Sequence, residues 1–392
     1  MPKRRTADKQ YEDISQDIDI DKLRDSIKSD FQNFIDPRVA ERSLYPAWYL
    51  FLVIICGYLA GCNTLDDIAH FAYLRKAWFS SLNDMNLGVP SYDTLWWFLA
   101  RTKPEAFKGL LSRWLSKIPL DFRDKLLLID GKRLRGVSNN EHISHIVELF
   151  AAEQCIVIAQ EKVPEKRDER QALSQLLEAV DVEGALISMD ALFCHRSDLK
   201  KILDKGADYL VGLKGNQPKL EDEVFHYFDQ ARLCNYEGTG IDSHISCEKD
   251  HGRIESREVR TLTELEWLEQ TEVWTIRTII EVKSERVIKG KTETGTQYYL
   301  SSRKGSAEYF AKNVRGHWAI ENVLHYVIDV VFREDASLAD AGNTAENMAL
   351  LRRLSANIVR TVDPGRGMAE ARRAATYEPN YLLGLLSRTF VK

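Results

Sequence analysis

The sequence predicts an α/β protein built on a mixed β-sheet with helices on its faces. Three observations lead to this fold class. Helical patterns flank a middle region in which short apolar runs rich in β-branched residues take over. In that region three strands come first, and strands then alternate with helices. A chain of 392 residues with 44% hydrophobic content is also long enough for two or three domains, each with its own core.

The N-terminal part is predicted to be helical. Residues 1–43 form a polar lead-in with one helix around Ile20 to Phe34, and residues 44–120 form an α-helical domain. The uncharged run Ala47–Cys62 is shorter than the roughly 20 residues of a membrane-spanning helix, so we interpret it as a buried helix. Thr64 and Ser91 are predicted N-caps of further helices, among them Tyr92–Arg101.

The middle of the chain carries five predicted strands. They are KLLLID (125–130), HIVELFAA, QCIVIAQ, ALISMD (185–190) and DYLVGLK (208–214). Predicted helices around Arg170–Val180 and His195–Lys205 separate the last three, which gives the order β-β-β-α-β-α-β of RNase H-like domains. We expect residues 121–215 and 305–362 to form this core. A β-rich insertion at 216–304 interrupts the core, and a tail at 363–392 follows it.

Two of these strands end in an aspartate. Asp130 ends the first strand and Asp190 the fourth, and in an RNase H-like order these strands are neighbours, so the two carboxylates converge. Each also has a plain structural interpretation, since Asp130-Gly131 could be a hairpin turn and Asp190 could cap a helix. Buried carboxylates at two converging strand ends favour a functional role because such burial is costly without a positive partner.

A third carboxylate, Glu321, lies on the predicted helix Ser306–Phe332, which is expected to break or kink near Gly316. At α-helical spacing its face also carries Val314, Trp318, Leu324 and Ile328. Glu321 could pair with Arg315 or His325, but three carboxylates from separate elements also suit Mg²⁺ or Mn²⁺. Two such ions about 4 Å apart would serve in-line attack on a phosphodiester. Asp329 is a candidate accessory carboxylate.

Basic residues near these carboxylates are candidate phosphate contacts, although a solvated loop explains them as well. They are Lys132, Arg133, Arg135 and Lys214, with further basic groups at Lys3–Arg5 and Arg352–Arg353. In the insertion, His251, Arg253, Glu255 and Arg257 alternate along one strand, which makes that strand a candidate to face DNA. The net charge of -5 counts against DNA binding, but local clustering decides such binding.

The six cysteines include no CxxC pair, so the sequence indicates neither a disulfide framework nor a structural zinc site. A reducing, cytoplasmic location is therefore expected. Helix Tyr92–Arg101 is a candidate recognition helix for DNA, although its run of aromatic residues also suits a core position.

Nine short blocks occur in order between about residue 30 and residue 360. They are FIDPR (34–38), YP (45–46), VPSYDTL (89–95), IDGKRLRG (129–136), MDAL (189–192), ADYLVGLKGNQP (207–218), DHGRIESR (250–257), RGHWAIEN with LH (315–325), and FREDAS (332–337). Together the blocks resemble the H-repeat-associated transposases of the ISAs type, which belong to the DDE class.

The resemblance implies an RNase H-like catalytic core in which Asp130, Asp190 and Glu321 hold divalent metal. It also implies DNA ends and target DNA as partners and a homodimer on DNA. Membrane association is not expected, because the run Ala47–Cys62 is interpreted as a buried helix. Wider relatives carry Y-x2-R-x3-E-x6-K around the glutamate, whereas His317 and Ile328 occupy the Arg and Lys positions here. Arg315 and Arg333 are candidates to replace them.

Two other functions stay open at this point. One is a metal-dependent nuclease that cuts DNA but does not join strands. The other is a domesticated DNA-binding protein that uses the fold without catalysis.

Overall fold

The computed structural model describes residues 13–16, 18–84, 87–134, 145–250, 253–268, 275–288, 291–337 and 341–391. Within these ranges, a long β-sheet carries helices on its faces, and a layer of helices from both ends of the chain packs beside it. One apolar core runs through the helical layer and the sheet.

Six α-helices precede the sheet in the part of the chain that the structure describes. They are α1 (Ile20–Asp30), α2 (Ala47–Leu59), α3 (Leu65–Leu74), α4 (Lys76–Leu82), α5 (Tyr92–Arg101) and α6 (Pro104–Ser116). Helix α2 is the uncharged run, and every residue from Trp48 to Leu59 is buried. None of the helices in the described ranges is long and apolar enough to cross a membrane. The prediction of a buried helix is therefore confirmed.

Nine strands form one continuous sheet. They are β1 (Leu126–Arg133), β2 (His145–Ala151), β3 (Ile156–Val163), β4 (Leu186–Met189), β5 (Asp208–Leu213), β6 (Asp242–Asp250), β7 (Arg253–Leu262), β8 (Thr278–Ile288) and β9 (Lys291–Ser301). The order is β3-β2-β1-β4-β5-β9-β8-β7-β6. Strands β1 to β3 are an antiparallel meander, and β1, β4 and β5 run parallel. The first five strands therefore have the predicted RNase H-like order.

The helices between these strands cover the sheet. They are α7 (Leu173–Glu178), α8 (Arg196–Asp204) and α9 (Pro218–Leu233). Strand β9 pairs antiparallel with β5, so the four strands of the 216–304 segment extend the core sheet. This segment is thus tied by backbone hydrogen bonds to the strand that ends at Leu213.

The last described part of the chain contains four α-helices. They are α10 (Ala307–His317), α11 (Thr344–Val362), α12 (Met368–Tyr377) and α13 (Pro379–Phe390). Within the segment 363–392, which was predicted as a tail, α12 and α13 bury an apolar face against the other helices. Arg372 of α12 donates a hydrogen bond to the Tyr58 carbonyl of α2 at 2.8 Å. Both ends of the chain therefore share one helical layer.

Candidate active site

The first two predicted carboxylates lie on neighbouring parallel strands. Ile129 of β1 pairs with Met189 of β4, so Asp130 and Asp190 are the next residues along two hydrogen-bonded strands. Strand β1 continues through Asp130 to Arg133, which rules out the hairpin turn. Asp190 accepts a hydrogen bond from the Leu192 N–H at 2.8 Å, so its carboxylate also caps a short 3₁₀ turn. The structure thus brings Asp130 and Asp190 together.

Asp130 lies in a site with excess negative charge. The pKa of Asp130 is raised to about 6, mainly by burial and in smaller part by the charges of Asp190 and Glu321. The nearby His325 and a hydrogen bond from the Gly131 N–H at 2.9 Å act in the opposite direction without cancelling the rise. A bound cation would relieve this imbalance because it favours the ionised carboxylates.

Glu321 lies where the long helix changes its winding. Helix α10 ends at His317, and π-helical turns follow at Ile320–His325 and Val327–Val331. The expected buried position of Glu321 is wrong: Ile320 and Leu324 are buried, whereas Glu321 is exposed. A π-helix bonds residue i to i+5, so the 3.6-residue spacing used for the prediction does not hold here. This π-helical turn contacts β1, and the charge of Glu321 contributes to the raised pKa of Asp130.

The donor chemistry of this site suits a hard divalent cation. Asp130 and Asp190 present carboxylate oxygens, which Mg²⁺ and Mn²⁺ prefer as ligands. Among the described residues, no three His, Cys, Asp or Glu side chains converge closely enough to hold an ion as they stand.

A buried ion-pair network (Glu148, His325, Arg353, Glu334 and Lys132) lies beside Asp130. Glu148 is the cross-strand partner of Asp130 on β2, and its Oε2 is 2.9 Å from His325 Nε2. The other ring nitrogen of His325 is 4.0 Å from Asp130 Oδ2. Arg353 of α11 is fully buried and donates to both Glu148 and Glu334. His325 therefore pairs with Glu148, not with Glu321.

Glu148 is not predicted from the sequence, and the predicted basic group Arg352–Arg353 does not face DNA, because both side chains are buried. One signal was available in HIVELFAA, where a single acid stands in an apolar strand. A buried carboxylate of this kind needs a buried cation, and Arg353 supplies it.

Lys132 does not face solvent, so its predicted contact with DNA phosphate is wrong. The side chain is 8% exposed, and its ammonium lies 2.5 Å from Asp329, 3.0 Å from Glu334 and 3.3 Å from Asp335. Three carboxylates thus enclose one amine. This arrangement stabilises the segment that follows the π-helical turns.

The other predicted basic residues have different surroundings. Arg133 and Lys214 are exposed. Arg315 is exposed and forms an ion pair with Glu248 of β6. Arg333 is also exposed, and its backbone has a left-handed φ of 52°. The structure leaves these four side chains accessible to a ligand.

Two of the predicted DNA-contacting residues, Arg135 and His251, lie outside the described residues. Arg253 begins β7, opposite Asp250. Farther along the same strand, Arg257 donates to Glu255 at 2.7 Å, as expected for alternate positions on one face.

His317 occupies the position where wider relatives carry arginine. Its Nδ1 is 3.1 Å from the Ser188 hydroxyl on β4, two residues before Asp190. Burial lowers the pKa of His317, which favours a neutral ring. His317 therefore cannot supply the charge that an arginine would bring to a phosphate.

Comparison with known proteins gives matches over most of the chain. The family model for the transposase DDE domain matches residues 121–358, and the model for a domain associated with it matches residues 28–115. YncI of Escherichia coli O157:H7, a transposase by name, is 31% identical over 83% of this chain and 84% of its own length. YhhI of E. coli K12, named as an H repeat-associated transposase, is 30% identical over 86% of this chain and 91% of its own length.

Among solved structures, the piggyBac transposase synaptic complex with hairpin DNA aligns with 96% of this chain and 78% of its own. Its TM-score is 0.41 and the sequence identity is 12%.

Proposed function

The chain belongs to the DDE transposase family, with H repeat-associated transposases among its relatives, and on that premise we propose that it performs metal-dependent DNA cleavage and strand transfer. The reaction would move an insertion sequence. The observation that carries this proposal is the pair Asp130 and Asp190 at adjacent strand ends, where burial and like charge raise the pKa of Asp130 to about 6. Such a site favours divalent cations.

Asp130, Asp190 and Glu321 are the residues that would hold Mg²⁺ or Mn²⁺, with two ions proposed. When bound, the ions supply charge stabilisation and a deprotonated water or 3'-hydroxyl for in-line attack on a phosphodiester. The chain's own part is positioning. The Gly131 and Leu192 N–H groups orient the two aspartates, and Glu148 fixes the His325 ring beside Asp130.

DNA would approach the exposed basic residues near these carboxylates. Arg133 follows Asp130 on β1, and Lys214 follows β5, so both stand at the end of the sheet where the carboxylates lie. Contacts from these side chains to phosphates would fix the position of the strand without reading its sequence. Arg315 and Arg333 are further proposed contacts, as is Arg253 on β7.

We assign recognition of the element ends to the helical domain at 44–120. Helix α5 has a buried side made by Leu95, Phe98 and Leu99 and an exposed side with Trp97, whose ring lies 4.5 Å from the Arg101 guanidinium. The functional unit is a homodimer on paired DNA ends. All six cysteines are free, in keeping with a cytoplasmic location.

The test is Mg²⁺-dependent cleavage and strand transfer on DNA that carries the sequences flanking the gene. The unmodified protein should cut and join, and Asp130→Asn and Glu321→Gln should do neither while still binding DNA. Asp124→Asn is the matched control, since this aspartate precedes β1 and its side chain is 90% exposed. It should retain full activity.

Other outcomes of this experiment identify the two competing functions. Metal-dependent nicking without any joined product would assign the protein as a nuclease. DNA binding without cleavage by either the unmodified protein or the variants would assign it as a domesticated binding protein. Full activity of Glu321→Gln would remove Glu321 from the proposed site.

A further inference from the structure

Helix α10 ends over the sheet face that carries the two aspartates. The Nδ1 atom of its last residue, His317, is 3.1 Å from the hydroxyl of Ser188 on β4. Side chains two residues apart in an extended chain point to the same face, so Ser188 shares a face with Asp190. Leu128 pairs with Ser188 and lies two residues before Asp130 on β1, so Asp130 lies on this face too. His317 therefore meets the sheet on the side of the proposed metal ligands.

A glycine lets α10 approach this face closely. A Cβ placed on Gly316 would be only 2.5 Å from Leu126 Cδ2 on β1. By the alternation of the strand, Leu126 lies on the same face as Leu128 and Asp130. Gly316 and His317 therefore dock the end of α10 onto β1 and β4, respectively.

His317 is also the residue at which the winding of the helix changes. The α-helix ends there, and the π-helical turn Ile320–His325 carries Glu321 four residues later. Four residues make about one helical turn, so the rotation of the chain at His317 sets the direction in which Glu321 points. The Glu321 side chain is exposed, whereas Ser188 is only 1% exposed. The buried contact between His317 and Ser188 thus fixes the backbone that leads to Glu321.

We propose that His317 is a positioning residue for the metal site: its hydrogen bond to Ser188 sets the place of Glu321 relative to Asp130 and Asp190. The inference rests on the proposed function and adds a residue that supports the site without touching the ion or the DNA. A small displacement of one carboxylate weakens metal binding and slows in-line attack, because both depend on where the ligand stands.

A direct role for His317 makes a different prediction. Wider relatives carry arginine at this position, and a direct role would use Nε2 to donate to a DNA phosphate. The contact with Ser188 uses Nδ1. Asparagine places a hydrogen-bonding group near the position of Nδ1 and glutamine places one near that of Nε2, so the two substitutions separate the roles.

The first experiment is Mn²⁺ titration of the DNA-free full chain, followed by the electron paramagnetic resonance signal of free Mn²⁺, with the melting temperature of each variant. His317→Gln and Ser188→Ala should each bind Mn²⁺ about 10-fold more weakly, and His317→Asn should bind it nearly as tightly as the unmodified protein. The double variant of His317→Gln and Ser188→Ala should bind no more weakly than either single variant, because all three lose the same contact. Glu308→Gln is the control, since this exposed glutamate lies in the first turn of α10. It should match the unmodified protein.

The second experiment is Mg²⁺-dependent cleavage of DNA that carries the sequences flanking the gene. His317→Gln should lower kcat roughly 10- to 100-fold with little change in KM, because the bound DNA meets a displaced carboxylate. His317→Asn should keep most of kcat. A direct contact with phosphate would reverse this order, since glutamine would then be the better substitute, and KM would rise.

Several results would overturn the positioning role of His317. One is better function of His317→Gln than of His317→Asn. Another is a lowered melting temperature of His317→Gln and Ser188→Ala with unchanged Mn²⁺ affinity, which would make the contact purely structural. Either result leaves the proposed function intact, provided that Asp130→Asn loses Mn²⁺ binding. Absence of Mn²⁺ binding by the unmodified protein would instead overturn the metal site as a whole, and this inference with it.

Discussion

Asp130 and Glu148 face each other across β1 and β2, yet their surroundings have opposite effects. Burial and the nearby carboxylates raise the pKa of Asp130 to about 6. Glu148 is more deeply buried, but Arg353 and His325 outweigh the effect of burial and lower its pKa. The comparison shows that burial alone does not decide the charge state of a carboxylate. The positive partners decide it: Arg353 and His325 together outweigh the burial of Glu148, whereas His325 does not outweigh the burial of Asp130.

The surroundings of Glu148 and Asp130 therefore have different functions. On the Glu148 side, the buried ion-pair network balances carboxylates with Arg353 and Lys132, and its contacts hold α11 and the segment after the π-helical turns to the sheet. On the Asp130 side the negative charge is in excess, which leaves those oxygens for a cation. The predictions below test this division, from the largest expected effect to the smallest.

Removal of the Arg353 guanidinium, the cation at the centre of the buried ion-pair network, should have the largest effect on stability. Arg353→Met leaves Glu148 and Glu334 buried without their guanidinium, so the free energy of unfolding should fall by about 3–5 kcal/mol. Urea unfolding measures this change. Arg360→Met, in the last turn of the same helix, is the control and should cost little. Equal stability of the two variants would contradict a structural role for the network.

The pH dependence of stability should separate Asp130 from Glu148. Because the folded pKa of Asp130 is raised, its contribution to stability is present below pH 3.8 and is lost as pH rises through about 6. The loss is on the order of 3 kcal/mol by pH 7.5. Glu148 has a lowered pKa, so its contribution is present above pH 4.5 and is lost on acidification.

Urea unfolding of the metal-free protein at pH 4.5 and pH 7.5 measures the Asp130 effect. Asp130→Asn should be the more stable protein at pH 7.5, and Mg²⁺ should stabilise only the unmodified protein. If the two proteins show the same pH dependence in the absence of metal, Asp130 does not carry excess charge.

The smallest expected effect concerns two lysines. Lys214 is exposed, so Lys214→Ala should reduce the slope of DNA affinity against salt concentration by about one. Lys132 is enclosed by three carboxylates, so Lys132→Met should leave that slope unchanged. Fluorescence anisotropy with labelled DNA at several salt concentrations measures both slopes. A reduced slope for Lys132→Met would mean that this lysine does reach the DNA.

The sequence predicted the parts of the site that depend on local pattern. Apolar runs ending in Asp130 and Asp190, together with the strand order, were enough to place these residues on neighbouring strands. The α-helical spacing of 3.6 residues per turn gave the wrong position for Glu321, because a π-helical turn changes which side chains face the core. The role of Arg353 could not be predicted, since its partner Glu148 lies 205 residues away on another element.

Sequence-based prediction also fails for Glu169, a buried residue of the 3₁₀ turn that follows β3. In the sequence it stands in a run of charged residues after a strand, where an exposed side chain is expected. Only the packed structure places its carboxyl group against Gly131. Local spacing in the sequence therefore does not predict contacts between residues that lie far apart along the chain.

The shared helical layer can be completed only late in synthesis, because it joins helices from both ends of the chain. Helix α2 is the most apolar helix of the layer, and Arg372, which bonds to its Tyr58 carbonyl, lies 314 residues farther along the chain. Ribosomes add about 5–20 residues per second, so α2 waits roughly 15–60 seconds for this covering helix. During that interval the part of α2 that α12 contacts lacks this cover, and slower translation lengthens the interval.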